Sequence, residues 1–166
     1  MLTVIVPTLN RPKDLKRAFV SICKQTKLPD EVIIVDQSVN NLSVRAVKGI
    51  MSTFKDFKLN YIHDPKILGL VDAKRVGVNE AFGDIICFLE DDIVLEADYL
   101  KQIELGFKKK PNMIGCSGVV TNPPKLNFLY KFFFVIFHRG IFKDKRIDVN
   151  GNYSGYDNTL IESNML

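Results

Sequence analysis

Three consecutive carboxylates, Glu90, Asp91 and Asp92, directly follow an apolar run in this chain of 166 residues. The run, residues 85–89 (IICFL), does not alternate with polar residues, which is typical of a strand covered on both faces in a parallel sheet. Ligands of open α/β sheets bind outside the carboxyl ends of the strands, so these acids lie where a phosphate-bearing substrate and its metal would bind. Mg²⁺ or Mn²⁺ takes such carboxylate oxygens and shares its other positions with water and phosphate. The alternative is an acidic turn that caps the next helix.

Two other strands of the predicted sheet also end beside polar side chains. Residues 2–7 (LTVIVP) are rich in β-branched residues and end at a proline, and residues 31–36 (EVIIVD) form a second apolar run that ends in an acid. Parallel strands have their carboxyl ends at one edge of the sheet, so we expect the polar residues at these ends to lie beside the acidic triplet. These residues are Thr8, Asn10, Arg11, Asp36 and Gln37.

The order of the remaining elements predicts the fold class. Apolar residues at spacings of three and four predict a helix after each strand, and in the third helix Leu70, Ala73 and Gly77 are expected on the apolar face. Strand–helix–strand units force a parallel sheet with right-handed crossovers. We therefore expect an α/β fold, a Rossmann-like and mostly parallel sheet with helices on both faces. The expected helices span residues 12–26, 43–53, 70–81 and 96–109, and further strands span residues 57–63, near an edge, and 113–121.

Charge and motifs exclude several classes of protein. The net charge is +4, and lysines and arginines are scattered apart from residues 108–110, which we interpret as a solvated helix end. There is no basic stripe of the kind that nucleic-acid binding needs, so no nucleic-acid partner is expected. Neither GxxxxGK[ST] nor GxGxxG is present, which excludes the usual phosphate loops of kinases and dinucleotide enzymes. A phosphoryl-accepting signalling domain is set aside because its acids follow the first and third strands, whereas here Thr8 and His63 stand there.

The cysteines and the hydropathy bear on location. Cys23, Cys87 and Cys116 lie in apolar settings without CxxC spacing, which predicts buried free thiols in a reducing compartment and hence a cytoplasmic protein. No secretory signal is visible, and no window approaches the roughly 20 apolar residues of a membrane span. Residues 128–137 (FLYKFFFVIF) are aromatic and basic enough to lie at a membrane interface, with a core strand or helix edge as the alternative. Peripheral contact with the inner membrane face is therefore a hypothesis.

Three segments carry a resemblance to a known family. VIVPTLNRPKDLKRAFVSICKQT, VIIVDQS and GLVDAKRVGVNEAFGDIICFLEDD, in this order, resemble the nucleotide-binding half of family 2 glycosyltransferases, which have the GT-A fold. The resemblance runs from about Thr3 to Val120. It implies inverting transfer of a sugar, of hexosyl or rhamnosyl type and in polysaccharide biosynthesis, from a nucleotide diphosphate to an acceptor hydroxyl. Residues 1–122 would be the nucleotide-sugar-binding core, and residues 123–166 would begin an acceptor-side region that is cut short.

The resemblance also implies roles for individual residues. The acidic triplet corresponds to a DXD-type motif, in which Asp92 would bind Mg²⁺ or Mn²⁺. Family members often have a base-reading acid where this chain has Gln37, whose carbonyl can still accept a uracil or thymine N–H, so a UDP- or dTDP-linked donor is expected. Glu90 replaces a commoner aspartate. The implied donor-binding residues are Pro7, Thr8, Asn10, Arg11, Asp36, Gln37, Gly69, Lys74, Arg75, Glu90 and Asp91.

The catalytic base and the acceptor are not identified. In the family the base lies in the following half, so it is expected beyond Leu166, and the late acids Asp157 and Glu162 are more simply loop residues. The acceptor is expected to be a sugar or a lipid-linked sugar. The alternative function is a donor-binding module without transfer activity, because the half that carries the base is absent.

Overall fold

The computed structural model describes residues 1–51 and 56–118, together with the backbone of residues 160–162. The chain divides into two compact units, Met1–Leu105 and Gly106–Leu166. The domain boundary that the sequence predicts at residue 122 lies outside the described residues. In chain order the elements are β1 (Leu2–Thr8), α1 (Pro12–Cys23), β2 (Glu31–Asp36), α2 (Leu42–Met51), β3 (Lys58–His63), α3 (Gly69–Glu80), β4 (Ile85–Phe88), α4 (Tyr99–Lys109), β5 (Met113–Cys116) and β6 (Leu160–Glu162).

The first unit contains a four-stranded parallel sheet in the order β3-β2-β1-β4. Its register aligns Thr8 of β1 with Asp36 of β2 and aligns Asp36 with His63 of β3, so these three strands end level with one another. The predicted α/β fold with a mostly parallel sheet is therefore confirmed, as is the common edge at which the polar strand ends meet.

Helices cover both faces of the sheet, as the sequence predicts. Alternate residues of β1 point to opposite sides because side chains along a strand have a period of two. Val4 belongs to a buried cluster with Leu15 of α1 and Val47 of α2. Ile5 belongs to a second cluster with Ala73 of α3. Strands β1 and β2 are fully buried along their lengths, which explains their unbroken apolar sequences.

Strand β4 differs from the prediction that it is covered on both faces. It pairs with β1 on one side and is the last strand in the order of the described sheet. Cys87 is buried, but Ile85 and Ile86 are only partly buried and the Phe88 side chain is 45% exposed. A strand with one described neighbour can receive less cover than β1 or β2, and an apolar run does not show how many neighbours a strand has.

The predicted apolar face of α3 is wrong at its first turn. Leu70 is 45% exposed, whereas Ala73 and Gly77 are the buried residues of this helix. The helix approaches β1 closely at Gly77, where an added Cβ would lie 2.5 Å from Cγ2 of Ile5. Small residues at these two positions therefore set the distance between helix and sheet.

The second unit contains an antiparallel pair, β5 with β6. The sequence predicts a strand over residues 113–121, but the observed strand ends at Cys116 and belongs to this two-stranded sheet rather than to the parallel one. The sequence also predicts no element in the polar tail, where β6 forms. A three-residue strand is too short to show a hydrophobic period. Residues 108–110 are exposed, as expected for a solvated helix end.

The cysteines are free thiols, as predicted, but they are not equally buried. Cys23 and Cys87 are buried, whereas Cys116 is only partly so. Burial raises the pKa of the Cys23 thiol to about 11, so it stays protonated at neutral pH. Within the described residues, no helix is both long and apolar enough to cross a bilayer. The aromatic segment at residues 128–137 lies outside the described residues.

Candidate functional site

The end of β1 is joined directly to the acidic triplet that follows β4. The hydroxyl of Thr8 donates a hydrogen bond of 2.7 Å to Oδ2 of Asp91, and both residues are buried. Thr8 reaches this position because β1 and β4 are neighbours in the sheet. A carboxylate buried in this way needs hydrogen-bond donors, and Thr8 supplies one of them.

Arg11 supplies a second partner for the acids. Its Nη1 lies 3.3 Å from Oδ1 of Asp91 and 3.0 Å from Oδ2 of Asp92, so one nitrogen bridges the two carboxylates. Arg11 is the N-cap residue of α1 and makes no side-chain capping bond, since a guanidinium has no acceptor for the free N–H groups of the first helical turn. The charge of Asp91, and then hydrogen bonds to Asp91 and Asp92, raise the pKa of Arg11, which remains a cation.

The turn between β1 and α1 brings Asn10 to the next strand end. Asn10 has a φ of 56°, a left-handed conformation that asparagine adopts more readily than most residues. Its backbone N–H donates a bond of 2.8 Å to Oγ of Ser38, in the loop after β2. The loops after β1 and β2 are therefore tied together at the carboxyl edge of the sheet.

Lys74 of α3 contacts Glu90, the remaining acid of the triplet, whereas Arg75 does not. Nζ of Lys74 lies 3.1 Å from Oε1 of Glu90 and 5.5 Å from the centre of the Phe88 ring, a cation–π distance. Arg75 instead pairs with Asp72 on its own helix at 3.1 Å. Two of the three predicted phosphate-binding cations, Arg11 and Lys74, therefore lie on the acidic triplet.

Asp36 is buried, and each of its carboxylate oxygens accepts a hydrogen bond from the protein. Its Oδ1 accepts the backbone N–H of Ser38 at 2.9 Å, and its Oδ2 accepts the hydroxyl of Tyr61 at 2.7 Å. Burial, and then the charge and hydrogen bond of Asp36, raise the pKa of Tyr61, so its hydroxyl remains a donor. Asp36 therefore shapes the loop after β2.

Gln37 carries an acceptor that no group of the described residues satisfies. Its backbone N–H donates to the carbonyl oxygen of Thr8 at 3.0 Å, which holds the residue against the end of β1. The side chain is only 7% exposed, yet Oε1 has no hydrogen-bond partner among the described residues. Buried acceptors are nearly always paired, so this oxygen calls for an N–H or O–H from water or a ligand.

The two remaining predicted donor-binding residues are Pro7, near the end of β1, and Gly69, at the start of α3. Pro7 pairs with Val35 near the end of β1. Gly69 begins α3 with a φ of 85°, in the left-handed region that favours glycine. Of the late acids, Asp157 lies outside the described residues and Glu162 belongs to β6.

Two residues that bear on the site were not singled out from the sequence. Tyr61 holds Asp36, and Ser38 contacts both Asp36 and Asn10. The alternation of β3 offers a signal for Tyr61, because residues two apart share a face and His63 pairs with Asp36. Using that signal requires the register between β2 and β3, which the sequence does not provide.

The triplet fits a divalent cation only with help from a ligand. The described residues contain no group of three or more His, Cys, Asp or Glu side chains that could hold a metal by themselves. Asp92 is half exposed and bonds Arg11 through one oxygen. Mg²⁺ is commonly held by one or two carboxylates together with substrate phosphates, so a single exposed carboxylate suits a cation that arrives with a diphosphate.

Comparison with known proteins identifies the family. Residues 3–159 match the family model described as glycosyl transferase family 2. An uncharacterized glycosyltransferase of Haemophilus influenzae is 25% identical over 118 residues, which are 71% of this chain and 46% of that protein. The chain spans less than half the length of the first curated relatives that it matches.

Two solved structures share the fold. One is the mannosyltransferase PcManGT from Pyrobaculum calidifontis in complex with GDP-Man and Mn²⁺, with a TM-score of 0.63, 24% identity, and coverage of 75% of this chain and 36% of that one. The other is S. aureus TarS 1-349 in complex with UDP-GlcNAc, with a TM-score of 0.55, 20% identity, and coverage of 75% and 37%. At these identities the likeness supports the fold alone.

Proposed function

The chain belongs to glycosyl transferase family 2, and on that premise we propose that it binds a nucleotide-diphosphate sugar at the carboxyl edge of its parallel sheet. It would form the donor-binding part of an inverting, metal-dependent enzyme. Membership of the family supports a transferase. The donor, the metal and the stereochemistry are parts of the proposal.

The buried acceptor of Gln37 is the observation that carries the donor site. Within the described part of the chain, Oε1 has no hydrogen-bond partner, and it lies at the edge where the loops after β1 and β2 meet. A uracil or thymine N3–H, or a guanine N1–H, is a donor that would satisfy it. The related structures with GDP-Man and with UDP-GlcNAc support a nucleoside diphosphate as the class of ligand. UDP or dTDP remains our first expectation.

The acidic and basic side chains of the site would then bind different parts of the metal–diphosphate group. Asp92 would hold Mg²⁺ or Mn²⁺. The neighbouring residue, Asp91, is kept in place by its hydrogen bond from Thr8. When bound, the cation neutralises the negative charge that develops on the leaving diphosphate. Arg11 and Lys74 are charged donors close enough to the triplet to contact phosphate oxygens.

Transfer with inversion requires an acceptor hydroxyl to attack the anomeric carbon in line with the leaving group, while a base takes the hydroxyl proton. We place that base in the part of the family's length that this chain does not span. The acceptor, a sugar or a lipid-linked sugar, would be bound there as well. The free thiols of Cys23 and Cys87 support a cytoplasmic location, and contact with the membrane stays a hypothesis.

Calorimetric titration of the chain with UDP, dTDP, GDP and ADP, each with and without Mn²⁺, tests the donor site. We expect micromolar binding that requires Mn²⁺ and prefers one base. Gln37→Ala should weaken binding of the preferred nucleotide by about 10-fold, the equivalent of one hydrogen bond to a buried group. Gln102→Ala is the matched control, because Gln102 is an exposed residue of α4 that contacts Asp98.

Two results would contradict the proposal. One is the absence of binding by every nucleotide at millimolar concentration in the presence of Mn²⁺. The other is a Gln37→Ala variant that binds every nucleotide as tightly as the wild type, which would mean that water alone satisfies Oε1.

A further inference from the structure

The bridge from Arg11 to Asp91 and Asp92 occupies the carboxylate that we assign to the metal. From this contact we infer that Arg11 keeps a divalent cation off Asp92 until a diphosphate draws the guanidinium away, so that metal and donor bind interdependently. The inference rests on the proposed function of the same site. It makes Arg11 a residue that controls the order of binding as well as a phosphate contact.

The two bonds of Arg11 differ in how easily they can break. Asp91 is buried and accepts a second bond from Thr8, so its position does not depend on Arg11. Asp92 is 51% exposed, and Arg11 is the partner that it has among the described residues. The Arg11 side chain is itself 53% exposed and is not committed to capping α1. The guanidinium can therefore leave Asp92 without disturbing the buried part of the site.

A cation that approaches Asp92 in this arrangement meets a positive charge. Nη1 of Arg11 is 3.0 Å from the Asp92 oxygen, so a cation on that oxygen would lie well within a Debye length, about 10 Å, of the guanidinium and would be repelled by it. A divalent ion alone must displace the guanidinium and gains a single carboxylate in return. We therefore expect the free protein to bind Mn²⁺ weakly.

A diphosphate changes this balance in two ways. Its oxygens match the planar fork of the guanidinium, so Arg11 exchanges one carboxylate for a bidentate partner. The local charge also favours joint arrival: three acids facing Arg11 and Lys74 leave one net negative charge. Joint binding of a divalent cation and the doubly charged diphosphate of a sugar nucleotide leaves this net charge unchanged. Binding of either one alone changes it by two.

Titration with Mn²⁺ alone, followed by the electron paramagnetic resonance signal of the free ion, tests the inference. Arg11→Ala and Arg11→Gln should each bind Mn²⁺ at least about fivefold more tightly than the wild type, the low end of typical coupling between sites. Arg17→Ala is the matched control, because Arg17 is an exposed arginine of α1 that pairs with Asp14. It should stay within about twofold of the wild type. Thermal unfolding of each variant checks that it is folded.

Adding Asp92→Asn to Arg11→Ala tests whether Asp92 is the residue responsible for the tighter Mn²⁺ binding. The double variant should lose the tighter Mn²⁺ binding, since the carboxylate that Arg11 had covered is gone. UDP and GDP should raise the Mn²⁺ affinity of the wild type by a larger factor than that of Arg11→Ala.

Unchanged or weaker Mn²⁺ binding in both single variants would overturn the inference, as would a gain that survives the loss of Asp92. These outcomes are separate from failure of the proposed function. If the wild type binds no nucleotide in the presence of Mn²⁺, the donor site is wrong, whereas the comparison with Mn²⁺ alone still decides the role of Arg11.

Discussion

The hydroxyl of Thr8 donates a 2.7 Å hydrogen bond to the carboxylate of Asp91, a residue 83 positions later in the chain. This bond joins the ends of β1 and the loop after β4 at the edge where the loop after β2 also arrives. It is buried, so both its strength and the cost of losing it are larger than for a surface contact. Thr8 is thus the link between the first strand and the acidic triplet.

Replacing Thr8 with valine should lower the free energy of unfolding by about 1–3 kcal/mol, because the buried Asp91 carboxylate loses a donor while the shape of the side chain is kept. Urea denaturation followed by circular dichroism measures this change. Thr26→Val is the control, because the Thr26 side chain is exposed and its backbone N–H makes the tertiary bond. Equal stability of the two variants would show that Asp91 is satisfied by Arg11 alone.

Asp92→Asn should abolish the Mn²⁺ dependence of nucleotide binding while leaving the fold intact. The substitution keeps the shape and removes the charge that binds a hard cation. Since Asp92 is half exposed, stability should change by less than about 0.5 kcal/mol. Calorimetry with and without Mn²⁺ provides the measurement, with Asp14→Asn as a control from an exposed ion pair on α1. An affinity that still responds fully to Mn²⁺ would place the metal elsewhere.

Tyr61→Phe should destabilise the protein by about 1–3 kcal/mol, since buried Asp36 loses the donor at its Oδ2. The wild-type pKa of Tyr61 is raised from 10.0, mainly by burial and then by Asp36. The folded state therefore holds this proton more tightly than the unfolded state, and stability should fall as the pH rises above about 10. The variant should lose that part of the pH dependence. Parallel pH profiles for the two proteins would contradict this assignment.

Gly77→Ala should destabilise the protein by about 1–3 kcal/mol, because the new Cβ would lie 2.5 Å from Cγ2 of buried Ile5. Gly49→Ala is the matched substitution in α2, where an added Cβ meets nothing within 4 Å. It should stabilise by about 0.5–1 kcal/mol through helix propensity. Thermal unfolding of both variants gives the comparison, and a Gly77→Ala variant stabilised as much as Gly49→Ala would show that α3 can move away from β1.

Much of the fold could be predicted from local patterns. The unbroken apolar runs of β1 and β2 and the helical spacing of Leu15 and Phe19 identify buried strands and an amphipathic helix. Their alternation leads to a parallel sheet, whose carboxyl edge then collects the polar strand ends. The end position of β4 in the order of the described sheet and the pairing of β5 with β6 could not be predicted in this way, because strand order depends on contacts between distant segments.

The candidate site, like the fold, could be predicted from local sequence patterns only in part. The sequence by itself determined the order of strands and helices from β1 to β5 and placed Thr8, Asp36, Gln37 and the acidic triplet at strand ends, because hydrophobic periodicity acts over a few neighbouring residues. Only the tertiary structure decided that the Tyr61 hydroxyl bonds Asp36, that Gln37 keeps an oxygen without a partner among residues 1–51 and 56–118, and that Arg11 bridges Asp91 and Asp92. Each of these outcomes depends on the register and order of strands far apart in the chain, which local spacing does not specify.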